Sequence, residues 1–139
     1  MDEALQAAFL ATDYRVRLPA GGWVCLRIGT PPPTALLQLT LGAPWGVITA
    51  WNPRSQPMPL AWNRRAQRSL IAELRAHSAV RAIRAAVGVG PGGWRESSLL
   101  VVGPEAAALH QLCVRYEQHA FIAGTAESPP RLHWTGAAP

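Results

Sequence analysis

The chain of 139 residues contains no lysine; all thirteen of its basic residues are arginine. Because every lysine position is affected alike, the bias reads as a property of the coding genome rather than of one site. Cysteine is almost absent. Cys25 and Cys113 stand far apart, which excludes a scaffold built on disulfides and fits reduced thiols. No apolar run approaches the ~18 to 20 residues that a membrane span requires. The chain opens Met1-Asp2-Glu3 with no basic stretch before an apolar one, so no secretory leader is expected and the location reads as cytoplasmic. Charge is also thin, at 15% of residues. The net charge of +5 favours anionic partners at long range, but it is too small and too scattered to identify nucleic acid. There is no internal repeat and no low-complexity tract.

What is present suits one globular domain over residues 1–139, with 49% hydrophobic residues and length enough to bury a real core. Leu5, Ala8, Phe9 and Thr12 recur at helical spacing and predict a short helix over 3–12. Tyr14 to Leu18 and Trp23 to Ile28 read as strands joined by Pro19-Ala20-Gly21-Gly22, a hairpin. After Pro31-Pro32-Pro33, residues 34–41 fit a short helix better than a strand.

Trp45 to Trp51 is apolar and branched, a buried strand closed off by Pro53 and Pro57. A helix is expected from Trp62 or Asn63 to His77, with Ala66, Leu70, Leu74 and His77 on one side. Val80 to Val89 reads as a strand, the glycines from Gly88 to Gly93 as a flexible connection, and Ser98 to Val102 as a second buried strand. Gly103, Pro104 and Glu105 signal a helix start, and Leu109, Leu112, Cys113 and Tyr116 give that helix its apolar stripe. Ala120 to Ala123 is a short strand. The tail over 127–139 holds Pro129 and Pro130 and reads as loose, with Leu132-His133-Trp134 as a candidate edge strand.

From about 45 to 124 the order is therefore βαββαβ. The expected class is α+β with a ferredoxin-like split βαβ core, preceded by an N-terminal helix and a β-hairpin. Right-handed crossovers would make the first and third strands of that core central neighbours. Asn52, Ser55, Asn63, Glu96 and Gln118 would then converge at one end of the sheet.

Glu96 is the foremost acid, placed between Trp94 and Ser97-Ser98, where desolvation would raise its pKa and suit it to general acid or base work. The structural alternative is a carboxylate that accepts hydrogen bonds from the Asn52 loop or pairs with Arg54. Asn52, before Pro53, equally suits a turn cap. Ser55 and Ser98 have no nucleophile elbow around them. His110, Cys113 and Glu117 have helical spacing for a metal, but Cys113 falls on the apolar stripe, where a core thiol is the ordinary occupant. The glycines around Gly88 and Gly90 lead into Pro91 and a strand rather than a helix N-terminus, so they are not a phosphate loop. Arg64, Arg68 and Arg75 lie within about 40° of one another on their helix, a solvated face or a phosphate-contacting one.

Taken together, Thr49-Ala50-Trp51-Asn52-Pro53-Arg54-Ser55-Gln56-Pro57, Asn63, Trp94-x-Glu96-x-Ser98 and Gln118-x-Ala120 resemble the bacterial family known as domain of unknown function 3293. The resemblance runs from Tyr14 to about Gly124. The chain departs from it at Trp51, where that family carries Tyr, and at His119, where it carries Asn. It implies a small bacterial protein with no activity to carry over, and it groups Asn52, Ser55, Glu96 and Gln118 as a set.

Three functional classes stay open, a small-molecule binding or regulatory module foremost, so the sequence does not decide whether this is an enzyme. A small-molecule binding or regulatory module would use Asn52, Ser55, Asn63, Trp94, Glu96, Ser98 and Gln118 as ligand contacts. An enzyme would use Glu96 as acid or base. A nucleic-acid or protein interaction domain would use the arginine face. No cofactor and no metal is indicated, and oligomeric state is not readable.

Overall fold

The computed structural model describes residues 2–136. Helix α1 (Glu3–Leu10) is capped by Asp2, whose carboxylate accepts the amides of Ala4 and Leu5. The hairpin follows as β1 (Asp13–Arg17) and β2 (Trp23–Leu26). Helix α2 (Thr34–Thr40) ends at Leu41, which is left-handed, with φ 49.

Next come β3 (Trp45–Ile48), α3 (Leu60–Ala76), β4 (Ala82–Val89), β5 (Arg95–Val102), α4 (Ala106–Arg115) and β6 (Ala120–Gly124). The tail contributes an edge strand, β7 (Arg131–Trp134), and residues 137–139 lie outside the described range.

The fold is mixed α+β with one seven-stranded antiparallel sheet, ordered β2-β1-β4-β5-β3-β6-β7. Residues 45–124 supply its middle, and β3 and β5 are neighbours there. The hairpin docks beside β4, with Tyr14 opposite Gly88, and Gly88 in turn opposite Glu96.

Several boundaries differ from the sequence reading. β3 stops at Ile48 rather than Trp51, because side chains from α3 take over the hydrogen bonds of the next residues. β5 begins at Arg95, so Glu96 is a strand residue, and Gly88 lies inside β4 rather than in a connection. Helix α3 starts after Pro59, and α4 starts at Ala106 with Glu105 as its cap, two residues beyond Pro104.

Alternation along the strands gives the sheet two faces. Ile48, Leu99, Val101 and Phe121 meet Leu70 and Leu74 of α3 and Leu109, Leu112 and Cys113 of α4. Trp45, Val47, Leu100, Val102 and Ile122 point the other way, toward Leu36 of α2. Burial pushes the Cys113 thiol up to about 12, which keeps it a neutral core group. The two helices on the first face are also tied together. The Tyr116 hydroxyl donates to Glu73 Oε2 at 2.5 Å, and Arg115 pairs with the other oxygen of that carboxylate.

Gly46 sets how closely α4 approaches the sheet. A Cβ there would stand 2.5 Å from Leu109 Cδ1 and 2.9 Å from the Ile122 carbonyl oxygen. Gly46→Ala is expected to destabilise the fold by about 2 kcal/mol through overpacking, read as a lower urea midpoint at unchanged slope. An unchanged midpoint would show that α4 is not held against this strand.

Candidate functional site

Where β3 ends, three side-chain amides replace the ladder. Gln67 Oε1 accepts the Ala50 amide at 2.8 Å, and Asn63 Oδ1 accepts the Asn52 amide at 2.9 Å. Gln118 Nε2 donates to the Trp51 carbonyl at 2.9 Å. The Thr49 hydroxyl donates to the Ser97 carbonyl at 2.7 Å and accepts the Trp51 amide at 3.0 Å. This lattice holds a segment that no strand partner supports.

Within it the backbone is strained. Asn52, Arg54 and Ser55 have φ of 48, 55 and 58, all left-handed, and Asn alone among them tolerates that region well. The Arg54 amide donates to the Glu117 carbonyl at 2.7 Å, and the Arg54 guanidinium pairs with the Glu117 carboxylate at 2.8 Å, pinning the turn to the end of α4. The pairing envisaged between Arg54 and Glu96 does not form. Non-glycine residues concentrated in this region of φ, ψ space point to a segment whose shape matters more than its ease of folding.

Asn52 is buried, 8% exposed, and both ends of its amide are committed. Its Oδ1 accepts Asn63 Nδ2 at 2.8 Å and the Met58 amide at 3.1 Å. That fixes its orientation, so Nδ2 faces and donates to Glu96 Oε2 at 3.3 Å. Burial pushes the Glu96 carboxyl up to about 7, and the Asn52 hydrogen bond opposes that rise only in part. Across the sheet from Glu96, the Tyr14 hydroxyl is also pushed well up, first by burial and then by the charge of Glu96, with Thr12 acting the other way. It is a neutral phenol throughout the physiological range.

Glu96, Gly88 and Tyr14 occupy one cross-strand row. With no side chain at Gly88, the row leaves a recess lined by the carboxyl, the glycine and the phenol. It opens into a cavity of about 400 Å³ between the sheet and α1. Leu5, Ala8, Phe9 and Thr12 of the N-terminal stripe form one wall, Val47 and Ile122 belong to the opposite one, and Trp94, 40% exposed, stands at the mouth.

Of the seven residues named as ligand contacts, Asn52, Ser55, Trp94, Glu96, Ser98 and Gln118 line this cavity. Ser55 does so from an exposed position, and the Ser98 hydroxyl turns back to the Glu96 carbonyl at 3.3 Å. Asn63 does not line it and stands behind Asn52 as a support. Arg64, Arg68 and Arg75 are exposed on α3 and do not line it either. Among the described residues, no group of three or more His, Cys, Asp or Glu side chains is arranged to hold a metal ion.

Sequence reasoning misses Tyr14, Gly88 and Gln67. A signal for Gln67 exists, since it shares the α3 face of Asn63, Leu70 and Leu74, but a search for apolar periodicity passes over it.

The profile of the family described as "Protein of unknown function (DUF3293)" matches residues 48–121, more than half of the chain. The chain belongs to that family. The matched segment runs from the end of β3 to the start of β6 and contains Asn52, Asn63, Gln67, Glu96 and Gln118, whereas Tyr14 and the α1 wall precede it. No curated protein and no solved structure matches the chain. Among the described residues, no helix is long and apolar enough to cross a membrane.

Proposed function

We propose that this chain is a small-molecule binding module whose ligand occupies the cavity between α1 and the sheet. The observation that carries the reading is the convergence of Asn52, Glu96, Ser98 and Gln118, from distant parts of the chain, on one mostly apolar space of about 400 Å³. Enclosed apolar cavities with a few converging polar groups are the usual form of such sites. In this reading Asn52, Ser55, Trp94, Glu96, Ser98 and Gln118 contact the ligand, while Asn63 positions Asn52.

The frame is a ferredoxin-like core over 45–124, supported by the strand order β4-β5-β3-β6 and by α3 and α4 lying on one face. A second reading, an enzyme with Glu96 as general acid or base, is favoured by the carboxyl's pKa of about 7, close to working pH. Glu96→Gln separates the two: an enzyme loses turnover and keeps substrate binding, while a binding module has no turnover to lose.

The cavity itself is tested by filling it. A Cβ at Gly88 makes only ordinary contacts, 3.4 Å from Thr12 and 3.7 Å from the Tyr14 ring, so Gly88→Leu should fold and project into the space. In a thermal-shift screen of metabolites, a ligand at a hundred times its Kd stabilises the folded state by about 2.7 kcal/mol. That shift is expected in the parent chain and not in Gly88→Leu. Hits that stabilise both proteins equally would place binding elsewhere and end the proposal.

A further inference from the structure

On the reading of the cavity as a ligand site, the charged groups on its wall decide which ligand it takes. Among the described residues Glu96 is the only acidic side chain on the cavity wall, and none of the thirteen arginines lines it. The ion pairs of the described residues join Arg27 to Asp13, Arg54 to Glu117 and Arg115 to Glu73, and none includes Glu96. Its one side-chain partner is the neutral amide of Asn52, which is locked so that only its N–H end faces the carboxyl.

A carboxylate held away from water without a cation is costly, and the cost is relieved when a positive group arrives. An anionic ligand would meet Glu96 with no arginine to offset it. The rest of the wall suits an apolar body, and Phe9, Tyr14 and Trp94 offer aromatic rings of the kind that attract cations.

We propose that the cavity receives an amine or amidinium carried on an apolar body, with its positive nitrogen paired to the Glu96 carboxylate and its apolar part against the α1 wall. Pairing selects the ionised carboxyl, so binding displaces the proton that burial otherwise retains there. The other titratable side chains on the wall are Tyr14 from β1 and His119 just before β6, while Gly88 of β4 and Asn52 bring no titratable group.

Three isosteric probes decide the matter: 2-phenylethylamine, 2-phenylethanol and phenylacetate, titrated by protein-observed NMR at pH 8. The amine is expected to bind at least about tenfold more tightly than the alcohol, with phenylacetate weakest. Its affinity should fall about fivefold from pH 7 to pH 6 as Glu96 takes up its proton. Glu96→Gln should remove both the preference and the pH dependence, while His119→Gln should keep both. If amine and alcohol bind equally, or phenylacetate binds best, the inference about charge fails and the cavity reading stands. If none of the three perturbs residues on the cavity wall, both fail together.

Discussion

Replacing Glu96 by Gln is expected to stabilise the protein above pH 7 by on the order of 3 kcal/mol and to leave its stability unchanged in acid below about pH 4.5. The sign follows from where the proton sits. The carboxyl titrates near its ordinary 4.5 in the unfolded chain and at about 7 in the folded one. Below that interval both states are protonated and the group contributes nothing to the difference. Within it the folded state keeps a proton that the unfolded state has released, so stability declines as pH rises. Above about 7 both are ionised, and the folded state carries the full cost of a desolvated charge. At about 1.4 kcal/mol per pH unit, the interval amounts to the figure given. Gln keeps an acceptor for Asn52 and has no proton to lose. Urea midpoints of the two proteins across pH 4 to 9 check the prediction, and curves running parallel throughout would refute it.

Asn52→Ala is expected to cost on the order of 3 kcal/mol and, separately, to push the Glu96 carboxyl still higher. Truncation removes the acceptor for Met58 and Asn63 and the donor to Glu96. It also leaves a residue with a Cβ, and without the local hydrogen bonding of Asn, at φ 48. Asn52→Gly loses the same hydrogen bonds but accepts that backbone, so it should be about 1 kcal/mol less damaging. Chemical denaturation gives the two losses, and a carbon-detected NMR titration of the Glu96 side chain gives the pKa. A carboxyl that titrates unchanged, or lower, would show that the Asn52 amide does not stabilise its charge.

The order of elements is legible in the sequence because turns and helix starts punctuate it locally: Pro31-Pro32-Pro33, Pro53, and the Gly103-Pro104-Glu105 start. Convergence of Asn52 with Glu96 is legible too, since it needs only the direction in which each strand runs. Position across the sheet is another matter. Gly88 lies between Tyr14 and Glu96 only because the N-terminal hairpin docks beside β4, a pairing between segments some seventy residues apart that no local pattern encodes. Read by itself, Gly88 belongs with the loop glycines that follow it. The early end of β3 is hidden for a related reason. Gln67 looks like a solvent-facing residue of α3 until the chain end it binds is placed beside it.

Helix α1 contributes a wall to the cavity while burying none of its own residues fully. A cover so lightly anchored, its Phe9 resting edge-on against Trp134 with 6.1 Å between ring centres, sits at the low end of local unfolding free energies. Exchange of a guest would then require this helix to lift, so its departure rate would depend on α1 as well as on the carboxyl beneath it.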